Sequence, residues 1–115
     1  MGAQASRAHA TNDYELVIRS SKELEALLET EFGASGRGLH EKITSVQGQL
    51  SPGLVKQMRY LATIRNKLIH EPGFDDIPDR AAFIRRFEES LAELQAILRA
   101  RGSKAASSLP SCVIA

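Results

Sequence analysis

Apolar residues recur at three- and four-residue intervals in four stretches of the chain, the spacing of amphipathic helices. In the first stretch Leu16, Val17, Ser20, Leu24, Leu27 and Leu28 form one stripe. Thr11-Asn12-Asp13 offers N-caps for it, and Asp13 and Glu15 sit at the favourable positive end of the helix dipole. Gly33, Gly36 and Gly38 then break the pattern, and a shorter stretch carries Leu39, Ile43, Val46 and Leu50 on one face. Ser51-Pro52 opens the third helix, because serine is a preferred N-cap and proline at the first helical position loses no intrahelical hydrogen bond. Its apolar positions are Leu54, Val55, Met58, Leu61, Ala62, Leu68 and Ile69, and Pro72-Gly73 stops it. After a loop of about seven residues Asp79 caps a fourth helix bearing Phe83, Ile84, Phe87, Leu91, Leu94 and Leu98. No segment alternates with period two for long enough to make a strand. The pattern predicts an all-α fold, an up-and-down antiparallel four-helix bundle.

The chain has 115 residues, enough for one small domain, which the stripes place at 11–101. The flanks, 1–10 and 102–115, lack apolar periodicity and read as mobile tails. With 15 Lys and Arg against 14 Asp and Glu, the net charge of +1 makes no bulk electrostatic case for nucleic acid or membrane. Aromatic residues are scarce and tryptophan is absent, so a stacking platform for bases is poorly supported. No apolar run approaches the roughly 20 residues of a membrane helix, and the start lacks the apolar region of a signal peptide. Cys112 is the single cysteine, which excludes an intramolecular disulfide and multi-cysteine metal sites and suits a reducing, cytoplasmic location. His9, His40 and His70 lack metal-ligand spacing, and Asp75, Asp76 and Asp79 read as loop and cap rather than a calcium site. There is no Gly-rich phosphate loop. Neither a metal nor an organic cofactor is expected.

The third helix carries the anomaly. At 100° per residue Arg65 falls near the middle of its apolar sector, where an unpaired charge is costly. Arg65 must therefore meet a carboxylate such as Glu41, Asp76 or Asp79, a partner chain, or an anionic ligand. Asn66 lies about 100° round from it, and His70 another 40° or so further. Local charge is uneven: between Ser51 and Glu71, Lys56, Arg59, Arg65 and Lys67 face Glu71 alone, whereas the first helix is strongly acidic. His40, near the start of the second helix, reads as a capping or solvated residue or as a lining residue of the same cleft.

Arg65-Asn66-Lys67-Leu68-Ile69-His70 has the form R-N-x-x-x-H and resembles the signature of the HEPN superfamily. The stretch from Leu54 to Glu71, with Tyr60-Leu61-Ala62-Thr63-Ile64 leading into the motif, resembles its small DUF4145-like branch. A looser likeness covers Gly33 to Leu98, including Gly36-Arg37-Gly38-Leu39-His40-Glu41-Lys42. The resemblance implies a helical bundle that forms homodimers and, in active members, cleaves RNA without a metal. It implies that Arg65 holds the scissile phosphate, that His70 serves in proton transfer or orients the phosphate, and that Asn66 positions the site. Lys67, Arg59 and His40 join them as substrate-binding candidates. Attack by a ribose 2′-hydroxyl would leave a 2′,3′-cyclic phosphate, which excludes DNA as a substrate. A cognate protein partner, in a defence or toxin–antitoxin setting, is also implied. The alternative is a non-catalytic helical protein-interaction module in which Arg65 forms a structural ion pair.

The two ends carry separate signals. Met1-Gly2-Ala3-Gln4-Ala5-Ser6 fits the N-myristoylation pattern at Gly2, and Cys112-Val113-Ile114-Ala115 fits a prenylation box at Cys112. A membrane partner is expected only where these motifs are modified, since one lipid binds marginally and two anchor stably.

Overall fold

Each apolar stripe becomes a helix in the computed structural model, which describes residues 12–102. Helix α1 spans Asp13–Phe32, α2 Leu39–Val46, α3 Pro52–His70 and α4 Arg80–Ala100, with no strand among the described residues. Three caps stand where the sequence places them. Asn12 Oδ1 accepts from the Glu15 N–H at 2.7 Å, Ser51 Oγ from Leu54 at 3.1 Å, and Asp79 Oδ1 from Ala82 at 3.0 Å. Each cap is worth about 1 kcal/mol. Helix α2 is shorter than its stripe. It gives way at Gln47–Gln49 to one 3-10 turn, which still delivers Leu50 to the core.

One apolar core joins the helices. Leu16, Leu24 and Leu28 of α1 meet Ile43 of α2, Met58 and Leu61 of α3, and Phe83, Phe87 and Leu94 of α4, all fully buried. Burying a side chain of this size contributes roughly 1.5–3 kcal/mol. Ile77, in the loop before α4, closes one end of the core. Its N–H donates to Asp13 Oδ2 at 2.7 Å, and the other Asp13 oxygen pairs with Arg80. At the opposite end Arg101 donates to the Glu31 carbonyl at 3.2 Å and to Gln49 Oε1 at 3.2 Å, and stacks on Phe32.

These end contacts fix the helix directions. Helix α3 runs opposite to α1, and opposite to α4 through Ser51–Glu93 and Gln57–Ser90. It also runs opposite to α2, because His40 meets Arg59 and Thr63 while Thr44 meets Arg59. That leaves α2 with the same sense as α1, a departure from strict alternation. The cause lies in the 33–38 loop, which itself runs back along α2, so that the chain turns a second time before the helix begins. The Arg37 N–H donates to Glu41 Oε1 and the Ser35 N–H to Ser45 Oγ, and Lys42 reaches the Gly36 carbonyl at 2.9 Å. Gly36 has φ +132°, and a Cβ there would lie 2.5 Å from Glu41 Cβ. Only glycine lets the loop pass this close.

Both sequence-predicted tails, apart from Gly102, lie outside the described residues, as do Gly2 and Cys112. No helix among the described residues is long and apolar enough to cross a membrane.

Candidate functional site

Positions 63, 66, 67 and 70 recur at three- and four-residue spacing and so share one face of α3. His40, on the first turn of α2, stands over that face. With Glu71 they line a surface depression of about 370 Å³ composed of His40, Thr63, Asn66, Lys67, His70 and Glu71. His40 also lines a second depression of about 390 Å³ with Ser35, Gly36, Glu41, Thr44 and Ser45. Four of the six sequence candidates, Asn66, Lys67, His70 and His40, thus surround one space.

Arg65 does not line it. Five residues of helix rotate the side chain of Arg65 about 140° away from that of His70. Arg65 lies in the core-facing sector, yet it is only half-buried. Its guanidinium turns along the helix to Asn66, where Nη1 donates to Asn66 Oδ1 at 3.1 Å. Among the described residues none of Glu41, Asp76 and Asp79 reaches ion-pair distance of it. Arg65 therefore touches the depression only through Asn66, whose amide nitrogen remains as a donor.

Arg59, a substrate-binding candidate in the sequence, reaches across to α2. Its Nη2 donates to Thr44 Oγ1 at 2.8 Å, and its Nη1 lies 3.2 Å from His40 Nδ1 and 3.4 Å from the His40 carbonyl. All these contacts tie α3 to α2. Burial, and after it the charge of Arg59, holds the His40 ring below the ordinary imidazole pKa and so favours its neutral form. Lys67 is half-buried, its ammonium 5.5 Å from the centre of the Phe74 ring. His70 is exposed. Glu71 is the one carboxylate of the lining.

Two residues escaped the sequence reading. Thr63, in the approach to the motif, faces the depression 3.4 Å from His40 Nε2. Lys42 is buried, with its ammonium 3.1 Å from Glu29, 3.8 Å from Glu25 and 2.9 Å from the Gly36 carbonyl. Its position, three residues after Leu39 and four before Val46, already set it on the apolar face of α2. Among the described residues no three His, Cys, Asp or Glu side chains gather as a metal site.

Chemically the lining offers neutral donors from an amide, a hydroxyl and a ring, one ammonium and one exposed imidazole. Such a set can hold an oxyanion and move a proton. Compared with family models, with curated proteins and with solved structures, the chain matches none of them.

Proposed function

We propose that the chain is a HEPN-like helical domain that binds RNA and cleaves it without a metal, acting as a homodimer through its R-N-x-x-x-H motif. The observation that carries this reading is the common depression lined by Asn66, Lys67, His70 and His40. The lack of an ion pair between Arg65 and any carboxylate among the described residues supports it as well, since the donors not given to Asn66 remain for an anion. Arg65 and His70 leave α3 about 140° apart, and within one copy the guanidinium reaches the depression only by way of Asn66. Two copies pairing across α3 would bring the arginine of one opposite the histidine of the other.

In that arrangement a 2′-hydroxyl oxygen attacks the adjacent phosphorus and its proton passes to a base. The bond to the 5′-oxygen breaks, and that oxygen takes a proton in turn. The product ends are a 2′,3′-cyclic phosphate and a 5′-hydroxyl. His70 exchanges a proton, Arg65 holds the non-bridging oxygens, and Asn66 orients Arg65. The test is cleavage of a mixed RNA pool in EDTA by the intact chain and by Arg65→Ala and His70→Ala, with helicity and association state checked. Each variant should lose cleavage by about 100-fold or more. No cleavage and no RNA binding by the wild type would leave a non-catalytic protein-interaction module in its place.

A further inference from the structure

We infer that the depression between α2 and α3 is an oxyanion subsite, where the His40 ring N–H, the Thr63 hydroxyl and the Lys67 ammonium hold a phosphate oxygen and Arg59 positions the ring. The inference rests on the RNA reading above and names the part of the substrate that this face takes.

The argument starts from what an arginine can do. A guanidinium only donates, so the contact of Arg59 Nη1 with His40 Nδ1 at 3.2 Å requires Nδ1 to accept. The single proton of the neutral ring then sits on Nε2, an assignment made from the hydrogen-bond network. The partner of Nε2 is Thr63 Oγ1 at 3.4 Å, long for a hydrogen bond between nitrogen and oxygen. A directed donor thus stands at the edge of the depression with a loose partner, beside a hydroxyl that can turn.

Arg59 cannot readily swing away, because Thr44 Oγ1 and the His40 carbonyl fix it as well. Protonating His40 would set a second N–H against the guanidinium, so the clamp resists that change. The ring is consequently a neutral donor and not a base, since its one lone pair is already used. The charged and titratable groups around it are Arg59, Lys67, His70 and Glu71 from α3 and its end, and Glu41 from α2. A phosphate oxygen has lone pairs for the ring N–H, the hydroxyl and the ammonium together. Glu71 opposes it.

The experiment is a titration of the intact protein with inorganic phosphate, followed by NMR of ring nitrogens and backbone amides. The wild-type His40 ring should be protonated on Nε2, and phosphate should shift signals of His40, Thr63 and Lys67 together with saturation. Thr63→Val, an isosteric change at an exposed helix position, should weaken phosphate by about fivefold, the worth of one hydrogen bond. Arg59→Met should blur the single tautomer and weaken phosphate about as much, Arg59→Lys should restore part of both, and Glu71→Gln should tighten binding. A wild-type ring protonated on Nδ1, shifts scattered over surface lysines without saturation, or Thr63→Val binding like wild type would each overturn the subsite. Phosphate binding here by a protein that neither binds nor cuts RNA would remove the RNA reading and leave the subsite. RNA cleavage unchanged in Thr63→Val and Arg59→Met would do the reverse.

Discussion

Replacing Lys42 by methionine keeps the apolar stem and removes the ammonium. The lysine side chain is 6% exposed, and its contacts are the Gly36 carbonyl at 2.9 Å, Glu29 at 3.1 Å and Glu25 at 3.8 Å. Losing a hydrogen bond from a charged donor costs about 1.5–3 kcal/mol. The ion pairs add less, because Glu29 is 50% and Glu25 22% exposed, and pairs with one partner in water are worth about 0–1 kcal/mol. Relief from burying an ammonium offsets part of the loss. The net expectation is a destabilisation of about 1–2 kcal/mol, each kcal/mol lowering Tm by about 4–8 °C in a domain of this size. Lys42→Ala removes about three further buried methylenes and should cost roughly 2 kcal/mol more. Urea unfolding followed by circular dichroism measures both. A methionine variant at least as stable as wild type would refute a stabilising role for the ammonium, and an alanine variant no worse than methionine would show that the stem is not packed.

Gly36→Ala should lose about 1–3 kcal/mol in a thermal melt, since φ +132° is strained for alanine and the new Cβ meets Glu41 Cβ; an unchanged Tm would mean the loop has another route. Asp13→Asn keeps an acceptor for the Ile77 N–H and loses the pairing with the partly exposed Arg80 and the carboxylate's interaction with the helix dipole, a loss of about 1–2 kcal/mol together. Asp13→Ala also strands that N–H and should cost about 1–3 kcal/mol more in urea unfolding; equal losses would show that water answers it. His40 sets a pH dependence. Its folded pKa is lowered, by burial and then by Arg59, so the unfolded chain takes up the proton first as pH falls below about 6.5. Its contribution is complete above that value and declines from there down to the lowered folded pKa. Arg59→Met should narrow this window, and a wild-type stability that rises as pH falls through it would contradict the assignment.

Helix starts were legible because caps are local: Asn12, Ser51 and Asp79 each satisfy an N–H within their own first turn. The direction of α2 was not, because it depends on the 33–38 loop lying along the helix, and only the pairing of Arg37 with Glu41 and of Ser35 with Ser45 decides that. Lys42 shows another limit. Its place on the apolar face is visible in the spacing, but the carboxylates that make burial tolerable come from α1. Arg65 inverts that case. Its angle pointed to the core, yet a long side chain leaves a core-facing position by bending along the helix, and spacing says nothing of χ angles. The depression itself was half legible. The spacing of Asn66, Lys67 and His70 places them near one another on α3, but which of the readings open to His40 holds, and the contacts of Arg59 with α2, depend on tertiary packing.

Helix α1 carries no basic residue in its last turn, yet its carbonyl end is not left bare. Arg101, 70 residues further along, donates to the Glu31 carbonyl and lies on the Phe32 ring. The first of the described helices is thus completed by one of the last described residues. A chain still growing through α4 holds its core side chains but not the cation that closes α1, so that end of the helix is closed only after Arg101 has been synthesised.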